Sequence, residues 1–294
     1  MDKLIQTLIS GLSLGSIYAL IALGYTMVYG IAKMLNFAHG DIIMVGAYAV
    51  ITAVFTMGLP PFIAILISIA LCALLGIVIE FLAYRPLRQA QPLAVLITAI
   101  GVSYLLQNLA LLIYGSEQKA FPTIVALPTV HIGGVYIDGI TLATLVVTAV
   151  IMVALSLFIN KTRMGKAMRA VSEDKEAAEL MGISVNRTIT VTFAIGSALA
   201  GIAAIFYGAA YTYIRPTTGA MPGIKAFTAA VFGGIGSIPG AVIGGVALGF
   251  VEIMTVAFMP ELSGFRDAFA FILLVLVLVF KPTGLLGERM EEKI

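Results

Sequence analysis

Lys161–Thr188, KTRMGKAMRAVSEDKEAAELMGISVNRT, is the longest polar interruption in a chain otherwise built from long apolar runs. Six of the seventeen Lys and Arg residues fall inside it: Lys161, Arg163, Lys166, Arg169, Lys175 and Arg187. Loops rich in Lys and Arg stay on the cytoplasmic side of a membrane, so this run is expected to be an inside loop between two spans. Ser172 is suited to cap a helix N-terminus, with Glu173 and Asp174 in its first turn, and Gly182 suits the turn after Met181. The expectation is one short, self-capped helix outside the bilayer, placed where it can transmit force.

Outward from this loop the composition is that of a polytopic membrane protein. Hydrophobic residues make up 61% of the 294, charged residues 11%, and mean hydropathy is +1.08, against about 45–50% and about 25% in a soluble domain. A net charge of +2 offers no basic surface for nucleic acid. The single cysteine, Cys72, sits in an apolar run, so neither a disulfide framework nor a metal cluster is expected. Trp is absent, which leaves tyrosines such as Tyr29, Tyr84 and Tyr114 as expected interfacial anchors. The first apolar run continues to Ile31, too long for a cleaved signal, and is expected to be retained.

A span needs about 20 apolar residues to cross a hydrocarbon layer of about 30 Å. By that ruler, crossings are expected near 4–30, 42–57, 60–83, 93–114, 139–160, 189–213, 240–259 and 267–281. A ninth apolar piece, Ile224–Ile235, is too short to cross alone and runs into Gly233-Gly234-Ile235-Gly236-Ser237-Ile238-Pro239-Gly240. Residues 224–259 are therefore expected to form a broken hairpin, tolerated at membrane depth only where protein or a water-filled cavity surrounds the backbone. With 161–188 inside, the N-terminus falls outside and the C-terminus inside. Twelve of the seventeen Lys and Arg, including Lys281, Arg289 and Lys293, then lie inside. The outer loop 115–138, with Pro122, Pro128, Gly133 and Gly134, is too short for a domain of its own, so residues 1–294 form a single transmembrane domain.

Polar residues inside spans mark the candidate path. Asn36, His39 and Asp41 in Leu35-Asn36-Phe37-Ala38-His39-Gly40-Asp41 stand at the start of a short span, where a discontinuous helix could face a cavity. An Asn N-cap and a hydrated turn is the alternative. Glu252, about seven residues from its span's outer end, is either a path residue or a carboxyl hydrogen-bonded within the bundle. Gly233, Gly234 and Gly236 complete the path candidates. Glu80 is expected to reach water at the inner interface, and Gln107 and Asn108 to bond across helices. No phosphate loop is present, since Gly165-Lys166-Ala167 lacks both the leading Gly and the following hydroxyl. His39 and His131 support neither a hydrolase triad nor a metal site, so no catalytic residue is expected.

Five stretches, with 193–201 lying just downstream of the loop motif, resemble one family. Glu176-Ala177-Ala178 followed by Gly182 resembles the cytoplasmic loop signature of ABC-importer permeases. The chain has Val191-Thr192-Phe193-Ala194 where the fuller pattern of maltose-type permeases continues differently. LNFAHGD at 35–41, FGGIGSIPGA at 232–241 and KPTGLLG at 281–287 are similar to the high-affinity branched-chain amino acid ABC permeases of the LivH-like branch, as is FAIGSALAG at 193–201. The resemblance covers essentially the whole chain. It implies an all-α permease fold of about eight transmembrane helices plus a broken hairpin, in a bacterial or archaeal plasma membrane. It also implies a second related permease, two cytoplasmic ATPases that carry the ATP and magnesium and dock on Glu176, Ala177, Ala178 and Gly182, and an external substrate-binding protein. This chain itself would hold no cofactor. Branched-chain or other aliphatic amino acids are the implied cargo, with urea or amides within the same branch. From the residues alone, an ion-coupled transporter using Glu252, or a scaffold, remains open.

Overall fold

The computed structural model describes residues 2–124, 127–132 and 135–287. Gly133, Gly134, Arg289 and Lys293 lie outside them. Eleven α-helices appear among the described residues, and eight helical stretches are long and apolar enough to cross a membrane. These are α1 (Asp2–Ala32), α2 (His39–Ile51, continued by a π turn over Thr52–Thr56), α3 (Pro61–Ile79, with a π turn over Glu80–Tyr84), α4 (Pro92–Tyr114), α5 (Gly139–Lys161), α8 (Val185–Tyr211), α10 (Ile238–Phe258) and α11 (Arg266–Phe280, prefaced by a 3₁₀ turn). The loop between α5 and α8 holds α6 (Arg163–Glu173) and α7 (Lys175–Leu180), and α9 (Ala220–Gly233) precedes α10. Among the described residues four very short strands add to the helices: β1 (Lys119–Ala120) pairs antiparallel with β4 (Tyr213–Ile214), and β2 (Val130–Ile132) with β3 (Val135–Ile137). All of them lie at the end of the bundle opposite α6 and α7.

Glycine sets how closely these helices approach. A side chain at Gly245 or Gly249 of α10 would strike the backbone of Ala19 or Gly15 of α1, and one at Gly15 would strike Val246. Small residues four apart let two helices touch along their length, the packing that operates where water supplies no driving force. The main core, from Ile17 and Leu20 to Ala229 and Leu248, forms around this pair with α2, α3, α8 and α9. A second cluster, Leu23, Met27, Ile31, Leu155, Met168 and Leu199, ties α6 to α1, α5 and α8.

Two helices start within the bundle rather than at its ends. After α1, residues 33–38 climb back so that His39, at the head of α2, lies against Gly24 and close to the level of Gly196 in α8. After α8, residues 212–219 return toward the interior, and Gly219 and Gly223 at the head of α9 meet Gly40 backbone to backbone. The two helix heads thus abut and run apart, α2 toward the strand-bearing end and α9 toward the α6–α7 end. A long helix, a return segment and a shorter helix recur in 2–56 and 185–233 with opposite sense, the arrangement of inverted repeats in transporters.

Candidate functional site

The loop is built as two helices, not one. Thr162 caps α6 by accepting from Gly165 N at 2.9 Å, and the buried stripe Gly165, Met168, Val171 sets α6 on the bundle. Asp174, in extended conformation, caps α7 by accepting from Glu176 N at 2.9 Å and Ala177 N at 3.0 Å. Ser172, the expected cap, instead donates to its own helix at Arg169 O, because Asp174 breaks the helix two residues later. Gly182 has φ +80°; its N–H bonds Glu179 O at 2.9 Å and that of Ile183 bonds Ala178 O at 3.0 Å, the bond pair that closes a helix on a left-handed residue. Of the expected docking residues, Ala178 is turned into the bundle, whereas Glu176, Ala177 and Gly182 face out. The exposed tip is completed by Leu180 and Met181, 89% and 81% exposed. Lys175 anchors α7 by donating to Ala32 O at the end of α1, 3.3 Å away. Burial lowers its pKa, and the nearby positive charges of Arg88 and Lys33 add to the effect.

At the other end, Glu252 is buried and paired. It accepts from Lys225 Nζ at 2.9 Å and from Tyr18 OH at 3.2 Å, while Lys225 also donates to Tyr18 OH at 3.1 Å. Asp267 Oδ1 lies 2.7 Å from the same ammonium but out of line for a hydrogen bond. Lys225 and Tyr18 reach the wall of a cavity of about 420 Å³, with Tyr207, Tyr211, Arg215 and Asp267 among its other walls. The cavity opens at the strand-bearing end, where α8 finishes and α11 begins.

The 36–41 stretch serves several neighbours. Asn36 Oδ1 accepts from Tyr84 OH at 3.1 Å, and no side chain caps α2, whose N-cap is Ala38. This buries Tyr84, which was expected at an interface. His39 is buried edge-on to Tyr25, ring centroids 5.6 Å apart. Asp41 accepts from Ser103 and, at 3.0 Å, from Gln107 Nε2, so it fastens α2 to α4. Asn108 turns back to Tyr104 O in its own helix, contrary to the cross-helix expectation. Gly233, Gly234 and Gly236 sit at the far end of α9 from the cavity. Leu285 N and Leu286 N donate to Phe232 O and Gly233 O at 2.9 and 2.8 Å, and Gly236 packs on Gly30. The break in the hairpin therefore lies beside the ends of α1 and α11. Glu80 does not reach water; it is buried against Arg88 and accepts from Thr190 Oγ1 at 2.7 Å, joining α3 to the start of α8.

The family model for the branched-chain amino acid transport system permease component matches residues 7–278. The chain belongs to that family. It is 46% identical over 304 residues to the high-affinity branched-chain amino acid transport system permease protein BraD of Pseudomonas aeruginosa, covering 99% of this chain and 98% of that protein. To the permease protein LivH of Escherichia coli K12 it is 43% identical over 309 residues, covering 99% and 97%. Among solved structures it is similar to PsaBC from Streptococcus pneumoniae in complex with Fab, with TM-score 0.48 and 16% identity over 96% of this chain and 93% of that one.

Four contributors to this permease's candidate sites, Lys225, Tyr18, Leu180 and Met181, are absent from the sequence reading. Lys225 stands alone in the apolar piece 224–235, and an ionisable residue at membrane depth was signal enough to find it. Tyr18 carried no comparable signal. Leu180 ends the acidic helix and Met181 follows it, yet their exposure depends on which face of α7 the bundle covers.

Proposed function

We propose that this chain is a membrane-spanning subunit of an ATP-driven importer of branched-chain amino acids, with α7 as the contact to a cytoplasmic ATPase. The observation that carries this is the tip of the loop. Two long apolar side chains, Leu180 and Met181, stand almost fully exposed on a rigidly capped helix at the most basic end of the molecule. Apolar surface presented to water in this way marks a protein partner. The charge distribution supports a cytoplasmic α6–α7 end and C-terminus and an outer N-terminus. The cavity then opens outward, where a binding protein would deliver cargo. A second, related permease, two ATPases holding ATP and magnesium, and that binding protein complete the assembly, in a bacterial or archaeal plasma membrane. Ion coupling through Glu252 is disfavoured, because its charge is already matched by Lys225.

The test is uptake of labelled leucine into proteoliposomes holding the permease with its partner subunits. Uptake that requires both internal ATP and the binding protein is expected. Uptake driven by an ion gradient without the ATPases overturns the reading.

A further inference from the structure

The outward cavity is lined by both aromatic and charged side chains. Tyr207 and Tyr211 stack with ring centroids 4.4 Å apart, and both line the cavity. Charged groups line the same cavity: Arg215, which is exposed, Asp267, partly exposed, and the buried Lys225. About 300–1,000 Å³ is the usual range for a small-molecule site, and 420 Å³ falls within it. Lys225 is 5% exposed and stands between two carboxylates. One oxygen of each, Glu252 Oε1 and Asp267 Oδ1, is buried without a hydrogen-bond partner among the described residues. Structure alone does not require such a cluster, since a buried ion pair is commonly no more stabilising than apolar residues of similar volume. What it provides is a cation and a carboxylate in ion contact at 2.7 Å, both at the cavity wall.

Resting on the importer reading above, we propose that this cavity binds a free aliphatic α-amino acid as the zwitterion. Lys225 and Arg215 take its carboxylate, Asp267 and the Tyr18 hydroxyl take its ammonium, and the faces of Tyr207 and Tyr211 hold its side chain. Glu252 is a positioning residue: it keeps the Lys225 ammonium at the cavity wall through the 2.9 Å bond. Amino-acid binding replaces the misaligned Lys225–Asp267 contact with two aligned charged hydrogen bonds, which are the stronger kind.

Two measurements on the complete complex in lipid nanodiscs test this. The chain's one cysteine, Cys72, is buried, and Met221 at the cavity wall is 42% exposed. Met221→Cys therefore supplies a thiol whose maleimide labelling, followed on this subunit's band without ATP or binding protein, reports occupancy. Leucine is expected to slow labelling, while 4-methylpentanoate and 3-methylbutylamine, each holding half of the zwitterion, do not. Equal protection by either half-analogue, or none by leucine, overturns the proposal. The second measurement is uptake by Lys225→Met/Glu252→Gln, which removes both charges of the buried pair and leaves Asp267, partly exposed, with Arg266 at 3.7 Å. Normal assembly and stimulated ATPase activity with uptake reduced by about tenfold or more, equivalent to about 1.4 kcal/mol per tenfold, are expected. Uptake within twofold of the unaltered complex overturns the assignment. If the double variant fails to assemble, Arg215→Gln decides: a rise of about tenfold in the KM for leucine supports the site, and an unchanged KM overturns it. Because the labelling assay needs neither ATP nor transport, its outcome stands apart from failure of the importer reading.

Discussion

Gly182 offers a way to separate backbone strain from surface contact in the loop proposed to meet the ATPase. Its φ of +80° lies in the region that side chains resist, yet a Cβ built there meets no atom within 4 Å. Any penalty within the permease is therefore conformational rather than steric. Alanine costs about 1 kcal/mol at such a position, and a β-branched valine about 1–2 kcal/mol. Asparagine, which visits the left-handed region readily, costs less than either. One kcal/mol shifts the population of a locally closed turn by a factor of about 5. It is small for the bundle as a whole, so Gly182→Ala, →Asn and →Val all remain inserted. What changes is how often Ile183 and Gly182 close the end of α7, and hence how well Leu180 and Met181 are presented. ATP-dependent uptake and recovery of ATPase on a tagged permease are expected to fall in the order Asn, Ala, Val, with Asn nearest to the native level despite being larger than Ala. If both readouts instead follow side-chain size, with Ala mildest, the backbone account is wrong and Gly182 matters as partner surface. If Val leaves both unchanged, α7 is a solvated connector and does not dock.

Other perturbations follow from the packing. Arg88→Met leaves the Glu80 carboxylate buried without its cation and is expected to cost about 3–5 kcal/mol, read as a lowered Tm of the purified permease; Glu80→Gln, which keeps the Thr190 bond, should lower it less. Gly40→Ala forces apart the heads of α2 and α9 at Gly219 and should abolish folded yield on size-exclusion chromatography, whereas Gly101→Ala, in open space, should not. Asp41→Leu strips Ser103 and Gln107 of their acceptor and should loosen α4, seen as faster proteolysis in the 85–91 connection, while Asp41→Asn should restore much of the protection.

The spans were legible because membrane helices announce themselves by length and apolar composition, and each of the eight expected crossings corresponds to a helix. What lay out of reach was depth. LNFAHGD reads equally well as an end-of-span turn, and only the contacts of His39 with Gly24 and of Gly40 with Gly219 place it inside the bundle. Glu252 was visible as an intramembrane carboxylate, but its cation is 27 residues earlier on a different helix, and spacing along the chain carries no trace of that pairing. Glu80 precedes Tyr84 by four residues, and a tyrosine near a span end suits an interfacial anchor, which would bring Glu80 close to water. In the fold, Tyr84 bonds Asn36 and seals that end instead. In the loop, the choice between Ser172 and Asp174 as cap turned on one helix or two, which the packing of Met168 and Val171 against the bundle decides.

His39 is where stability and transport should part company. It is 1% exposed and edge-on to Tyr25, whose hydroxyl also lacks a partner among the described residues. The backbone of Ile21 approaches the ring, but neither ring nitrogen makes a hydrogen bond of normal geometry. Burying an unsatisfied polar group costs about 1–3 kcal/mol, and replacing it by an apolar group of similar shape is nearly neutral or stabilising. A residue kept for stability alone would not be a histidine at this position. His39→Leu is therefore expected to hold or raise the Tm of the purified permease while reducing ATP-dependent uptake, because the junction of the α2 and α9 heads that His39 adjoins lies between the cavity at the strand-bearing end and the α6–α7 end. A lower Tm with uptake falling in proportion would mean that the ring is satisfied in the native protein and serves packing. Unchanged uptake at unchanged Tm would remove His39 from the path.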